Sequence, residues 1–370
     1  MSTQLQSSTR AARHAVFHEL RVAAVEPLTE DSVSVTFEVP PELRAEYEFV
    51  QGQHLPVRCL AAGDDVRRNY SICSPAGSGI LRIGVKRLPG GVFSGYAHTA
   101  LRAGDPIEVM TPTGGFHVPL DPARARRHVA LAAGSGITPI LSIVATTLAV
   151  EPRSEVVLIA GNRTSQSIMF LEELEDLKNR YLARLAVHHV LSREAQESEL
   201  LNGRVDAQKL HSFLDELIPP GTVDAWFVCG PQSMIVGCRA VLLERGVEVA
   251  RIHSELFHAE GATQRSAPAA VPVTTGGATA QVTVLLDGRG STFAMPRDGE
   301  VILDAALRVR GEAPYSCRSG VCGTCRARLV EGEVRMDECN ALEGSDIDAG
   351  FVLACQSHPV SNSVTLDFDA

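Results

Sequence analysis

The sequence predicts a multidomain chain: an antiparallel β-barrel, then an α/β unit on a parallel sheet, then a small C-terminal β-grasp unit. Three observations carry this. Residues 17–122 hold short alternating runs, such as Val33-Ser34-Val35-Thr36-Phe37 and Ile80-Leu81-Arg82-Ile83-Gly84-Val85, separated by Pro and Gly turns. Many short strands of that kind suit an antiparallel barrel. Residues 123–257 change to strand, glycine turn, helix, strand, with candidate strands at His128–Ala133, Glu155–Ala160, Leu185–Leu191 and Ala225–Cys229. Alternating β and α implies a parallel sheet with crossover helices. Residues 281–370 read as a hairpin (Gln281–Leu286 and Thr292–Met295 around Asp287-Gly288), a helix at Ile302–Arg308, a strand at Arg326–Val330 and a closing strand at Val364–Phe368.

The clearest break is residues 258–280, rich in Ala, Thr, Gly and Pro and without periodicity, which is linker composition. An N-terminal tail, 1–16, precedes the first strand. At 370 residues the chain exceeds what one small core organises. A net charge of −10 offers no basic stripe for nucleic acid; it could steer a basic protein partner or only keep the chain soluble. The N-terminus lacks the apolar core of a signal peptide and no apolar run has the length of a membrane span, so no membrane partner and a cytoplasmic location are expected. Nine cysteines in such a chain point to metal or redox chemistry rather than a disulfide framework.

Cys317-Arg-Ser-Gly-Val-Cys322-Gly-Thr-Cys325 has the C-x4-C-x2-C spacing, and Cys355 follows thirty residues later. Two irons sharing two sulfides need four thiolates, and this is the plant-type [2Fe–2S] arrangement. Gly320 and Gly323 would let the loop wrap the cluster and aim amide N–H groups at its sulfurs. A zinc site or four unrelated buried cysteines are the alternatives, although zinc sites usually use paired knuckles. Cys339 falls outside the ligand spacing and is expected to be a packed or free thiol.

After the strand His128–Ala133 comes Gly134-Ser135-Gly136-Ile137-Thr138-Pro139, expected to open a helix at Ile140–Leu148. Glycines let a backbone approach a pyrophosphate, and a helix N-terminus supplies N–H donors. A strand-to-helix turn without ligand is the alternative. Gly161-Asn162-Arg163-Thr164 follows the next strand and Ser192-Arg193 the third. Guanidinium plus hydroxyl suits a ribose 2′-phosphate, although a single arginine there is more often a solvated surface residue. In the barrel, Arg68-Asn69-Tyr70-Ser71 follows the Gln51-Gly52-Gln53-His54 region. Arg68 could pair with a pyrophosphate, and Tyr70 and Ser71 could stack on and hydrogen-bond a flavin ring. Gly90-Gly91-Val92-Phe93-Ser94 offers N–H groups and a hydroxyl to a phosphate, and Cys229-Gly230-Pro231 could face a nicotinamide.

The order RNYS, GGVFS, AAGSGITP, GNRTSQS, SRE, CGP and HSELF resembles the ferredoxin–NADP⁺ reductase superfamily. With the C-terminal cysteine motif, the chain resembles the oxygenase reductases of that domain order. The runs GNRTSQSIMF, ITPILSIVATTL, VEGEVRMDECNALEGSDIDAGFVLACQSHP and VTLDFDA are most similar to the reductase subunits of phenylacetyl-CoA epoxidases, multicomponent di-iron monooxygenases. The resemblance spans 17–370. It implies that Arg68, Tyr70 and Ser71 bind FAD, helped by Val85, Lys86, Gly91, Phe93 and Ser94. It implies that Gly134, Thr138, Arg163, Ser192 and Arg193 bind NADPH. Ser71, Cys229 and Glu255 would be the catalytic positions around hydride transfer, Phe257 would cover the flavin, and Cys317, Cys322, Cys325 and Cys355 would hold the metal. Asp337-Glu338-Cys339-Asn340 departs from a segment that often carries an Asn-Tyr pair.

The implied activity is that of an NAD(P)H-dependent oxidoreductase, with electrons passing from NADPH to FAD, to [2Fe–2S], to a di-iron oxygenase. The alternatives are the same role for a steroid or aromatic-ring hydroxylase, and a non-enzymatic iron–sulfur sensor.

Overall fold

The computed structural model describes residues 16–61, 64–257, 278–342 and 344–370. Residues 1–15 of the expected tail and 258–277 of the expected linker lie outside the described residues. Among the described residues no helix is long and apolar enough to cross a membrane. The barrel and the parallel sheet share one compact unit, and the C-terminal residues form another.

The first sheet contains β1 (Phe17–Thr29), β2 (Ser32–Glu38), β3 (His54–Ala61), β4 (Asp64–Ser71), β5 (Leu81–Lys86) and β6 (Pro106–Met110). Its order is β4-β3-β6-β1-β2-β5, antiparallel throughout. A bridge between Ile72 and Ile83 brings the end of β4 back to β5 and closes the barrel. The alternation read from the sequence is the inward face: Val33, Val35 and Phe37 of β2 are buried with Leu20, Leu55, Ile83 and Val109. Helix α1 (Val92–Thr99) begins within the GGVFS run and sends Phe93 and Ala97 into that core.

The parallel sheet has β7 (Arg127–Ala133), β8 (Glu155–Asn162), β9 (Leu185–Leu191), β10 (Ala225–Gly230) and β11 (Ile252–Leu256) in the order β11-β10-β7-β8-β9. The crossovers are α2 (Ile137–Val150), α3 (Leu171–Arg180), α4 (Ala207–Glu216) and α5 (Gln232–Glu244). Strand order reverses between β7 and β10, and the crevice beyond their carboxyl ends is where doubly wound sheets bind ligands. Helix α2 starts at Ile137, three residues before the expected Ile140, after a 3₁₀ turn at Gly134–Gly136. Pro139 falls in its first turn, where a missing N–H leaves no intrahelical bond unmade. Every residue from Ile137 to Leu148 is buried, because α2 is covered on both sides. Its hydroxyls dock it to the barrel: Ser142 Oγ donates to the Ser74 carbonyl at 2.7 Å, and the Ala76 N–H donates to Thr146 Oγ1 at 2.9 Å.

At the opposite end of this sheet lies a buried polar knot. The Glu151 side chain is fully buried and accepts from Arg126 Nε at 3.2 Å, Arg126 Nη2, Ser154 Oγ at 2.6 Å and the Asp121 N–H at 2.9 Å. Burial alone would raise its carboxyl, but the bonds from Arg126, Ser154 and Asp121 outweigh that and bring it down to about 2. Burial, aided by the Arg126 charge, brings the neighbouring His128 imidazole down to about 4, against the pull of Glu151.

The C-terminal sheet contains β12 (Thr279–Leu286), β13 (Arg289–Pro296), β14 (Arg326–Glu331), β16 (Phe351–Leu353) and β18 (Ser363–Asp367), ordered β13-β12-β18-β14-β16. β12 and β18 are parallel neighbours and the other pairs antiparallel. Helix α6 (Ile302–Leu307) packs on this sheet to complete the β-grasp core, while β15 (Val334–Met336) pairs with β17 (Ser357–Pro359) and α7 spans Gly344–Asp348. β12 opens at Thr279 rather than Gln281, because Thr279 and Ala280 already pair with Pro296 and Met295.

Candidate functional site

The first site lies where the barrel meets the carboxyl ends of β7 and β10. Ser71, the last residue of β4, is buried and donates from Oγ to Glu255 Oε2 at 3.1 Å. Glu255 on β11 is in register with Cys229 on β10. Burial raises the Cys229 thiol well above its ordinary range, with the Glu255 charge adding to it, so the sulfur is a neutral, compact group. Gly136 explains how the turn after β7 reaches this point. A Cβ there would stand 2.1 Å from the Cys229 carbonyl oxygen, so only glycine lets the two crevice-lining turns touch. Gly134 takes φ 54°, the left-handed conformation the turn requires.

Sequence reasoning passed over two residues here. His54 pairs with Ser71 across β3 and β4, is buried, and brings Nδ1 to 3.7 Å from Glu255 Oε1. Its Nε2, and both amide atoms of Asn69 within the RNYS run, are buried without a hydrogen-bond partner among the described residues. Such orphaned polar atoms fit a cofactor-binding surface rather than a packed core. For Asn69 the sequence signal was its place next to Tyr70, whereas His54 reaches Ser71 only through the pairing of β3 with β4.

The other expected flavin residues divide by environment. The Tyr70 ring meets Phe93 with centroids 5.2 Å apart, while Arg68 Nη1 donates to the Arg67 carbonyl at 2.7 Å. The Val85 side chain belongs to the barrel core. Ser94 Oγ accepts from the Leu88 N–H at 3.2 Å and lies against Gly91, so this hydroxyl closes the turn before α1. Lys86 pairs with Asp31 at 3.4 Å.

Of the expected nucleotide residues, Arg163, Ser192 and Arg193 stand past the ends of β8 and β9, and Gly134 and Thr138 past the end of β7. The Arg193 N–H donates to the Arg163 carbonyl at 2.8 Å and the Ser192 N–H to the Asn162 carbonyl at 3.0 Å. Arg193 is exposed; Arg163 is half exposed and pairs with Asp31 of the barrel at 2.9 Å. Thr138 is buried, and its Oγ1 donates to the Ser135 carbonyl at 2.7 Å, pinning the glycine turn. Phe257 packs partly buried against the core around α2.

The second site is the cysteine loop. Cys325 and Cys355 are buried in the β-grasp core, and Cys317 and Cys322 are half-buried on the loop before β14. The thiols perturb one another: Cys322 and Cys355 hold the Cys317 thiol well below its ordinary range, and Cys317 pushes those of Cys322 and Cys355 well above it. The Ser319 N–H donates to Cys317 Sγ and the Thr324 N–H to Cys322 Sγ, each at 3.4 Å. Gly320 and Gly323 have φ of 73° and 72°, which allows the wrapping expected of them. The Ala354 N–H donates to the Cys325 carbonyl at 3.1 Å and tethers the fourth cysteine to the third. Two thiols on the loop and two in the adjoining core, with backbone N–H donors on the sulfurs of Cys317 and Cys322, fit a binuclear cluster. Cys339 is exposed and forms no disulfide.

Three family models match in chain order: an oxidoreductase FAD-binding domain over residues 19–118, an oxidoreductase NAD-binding domain over 130–240, and a 2Fe-2S iron-sulfur cluster binding domain over 284–360. The chain is 43% identical over 354 residues to a subunit of the 1,2-phenylacetyl-CoA epoxidase of Escherichia coli (strain K12), covering 96% of this chain and 98% of that one. It is 33% identical over 353 residues to the ferredoxin reductase component of 3-ketosteroid-9-alpha-monooxygenase of Rhodococcus rhodochrous, covering 94% and 96%. Its fold is that of phthalate dioxygenase reductase, at 24% identity and TM-score 0.56, covering 95% of this chain and 98% of that one.

Proposed function

This chain belongs to the reductase components of oxygenase systems, which join FAD-, NAD- and [2Fe–2S]-binding domains, and from that premise we propose that it draws electrons from NADPH and delivers them to a di-iron oxygenase, the phenylacetyl-CoA epoxidase of aerobic phenylacetate degradation. The observation that carries the choice of oxygenase is the 43% identity, end to end, with a phenylacetyl-CoA epoxidase component, against 33% with the ketosteroid component. What supports NADPH is the pair of arginines, joined through the Arg193–Arg163 backbone bond, beyond the ends of two neighbouring strands.

Bound FAD converts a two-electron hydride donor into single electrons, and a [2Fe–2S] cluster carries them one at a time. In this reading the chain's own residues arrange that exchange. Ser71 and Glu255, held at 3.1 Å, set a hydroxyl and a carboxylate at the crevice where a proton can be held or passed. Cys229, kept neutral by burial, gives the nicotinamide a small apolar seat without adding charge. Gly134 and Gly136 bring the β7 turn close to the pyrophosphate. Arg68 and Tyr70 hold the flavin on the barrel side, with Asn69 and His54 as its further hydrogen-bond partners. Cys317, Cys322, Cys325 and Cys355 hold the irons.

Two measurements test this. Mixed with the oxygenase subunits of a phenylacetyl-CoA epoxidase, the purified protein is expected to support NADPH-dependent oxygenation of phenylacetyl-CoA; a protein that reduces artificial acceptors yet leaves that oxygenase idle serves another partner. Arg163→Ala and Arg193→Ala are expected to raise KM for NADPH by roughly 10- to 100-fold, the worth of one charge-assisted hydrogen bond, and to leave NADH nearly unchanged. Equal losses with both nucleotides would show that neither arginine reads the 2′-phosphate.

A further inference from the structure

Gln356, the residue after the fourth cysteine, is 7% exposed. Its Nε2 lies 3.0 Å from the Arg318 carbonyl, 2.9 Å from the Cys355 carbonyl and 3.6 Å from Cys355 Sγ. All three neighbours are acceptors, so the amide nitrogen, not the oxygen, must face them. Arg318 is itself held in place. It has φ 56°, a conformation a side-chain-bearing residue rarely takes, and its guanidinium pairs with Asp304 at 2.6 Å while lying 4.5 Å over the Tyr315 ring. Gln356 thus ties the strand side of the site, through Cys355, to the loop carrying Cys317 and Cys322. The donors on Cys317 and Cys322 include the backbone N–H groups of Ser319 and Thr324, whereas Gln356 gives Cys355 a side-chain donor.

We propose that Gln356 is a positioning residue that raises the reduction potential of the [2Fe–2S] cluster, by directing a side-chain N–H at Cys355 Sγ from an anchor on the Arg318 carbonyl. Reduction adds one electron and breaks no bond, so the reduced state carries more negative charge on its sulfurs. A donor there favours that state. The inference rests on the assignment of the four cysteines as cluster ligands.

The test is a redox titration of the full chain, following the paramagnetic signal of the reduced cluster in the parent, Gln356→Glu and Gln356→Met. Met keeps the length and removes the donor alone, while Glu keeps the shape and replaces the donor by a negative charge, so Met is the deciding variant. Both variants are expected to hold the cluster at a lower potential, with its reduction roughly tenfold less favourable, about 59 mV for a one-electron couple. Unchanged potentials in cluster-loaded variants overturn the proposal. Loss of the cluster from both, in protein that melts like the parent, also overturns it, because Gln356 would then only retain the cluster. No such signal in the parent would instead refute the ligand assignment beneath it.

Discussion

Cys322→Ser is expected to abolish one-electron delivery, to an oxygenase or to a one-electron acceptor such as a cytochrome, while nucleotide oxidation by a small two-electron acceptor continues. The division follows from where the residues pack. Cys325 and Cys355 belong to the β-grasp core, which contains no residue of the barrel or the parallel sheet, and Cys322 lies on the adjoining loop between Gly320 and Gly323. Serine is a poorer ligand than a thiolate for a cluster built on four cysteines. Meanwhile Ser71, Glu255, Cys229 and Gly136 stay as they are in the other compact unit. The check is a pair of steady-state assays beside the cluster signal. If both activities vanish in a variant that keeps its flavin, hydride and single-electron chemistry are not separable as the two cores imply.

Glu151→Ala is expected to destabilise the nucleotide domain by roughly 3–5 kcal/mol, the cost of breaking a buried ion pair from one side. Arg126, Ser154 and the Asp121 N–H would each lose a partner. The pH dependence has a definite sign. The folded Glu151 carboxyl, at about 2 against an ordinary 4.5, contributes stability that is fully present above pH 4.5 and lost as the pH falls towards 2. His128, at about 4 against an ordinary 6.5, is protonated in the unfolded chain first, so stability also falls between pH 6.5 and 4. Thermal melts from pH 7 down to 3 should therefore descend throughout, and Glu151→Gln should flatten the part below pH 4.5. A parent whose midpoint rises on acidification would contradict this.

Most of the fold was legible because its signals are local. Alternation over five or six residues marked β2 and β5, and continuous apolar runs marked β7, β8 and β10. Asp287-Gly288 marked the turn between β12 and β13, and those two residues carry the positive φ that a tight hairpin needs. Helix α2 begins at Ile137 rather than the expected Ile140 because Pro139 sits in the first turn, where proline is tolerated. The site was legible as a set of residue types but not as a set of contacts. The resemblance implied that Val85 and Ser94 help hold FAD; in the fold the Val85 side chain fills the barrel core and the Ser94 hydroxyl closes a turn. The pairing of Arg163 with Asp31 spans 132 positions and left no local trace.

The sequence by itself determined the cysteine spacing, the order of the three domain types and which residue types stand at each strand end. These depend on neighbours within a few positions, where chain geometry fixes what spacing can do. Only the tertiary structure decided that Ser71 reaches Glu255 across 184 positions, that Gly136 must lack a side chain because the Cys229 carbonyl occupies its space, and that Gln356 aims its amide at Cys355 while holding the loop at Arg318. The first two of these contacts follow from barrel closure and from the reversal of strand order between β7 and β10, the third from the β-grasp sheet folding over its cysteine loop. Strand order is set by the burial of whole faces, which no short stretch of sequence encodes.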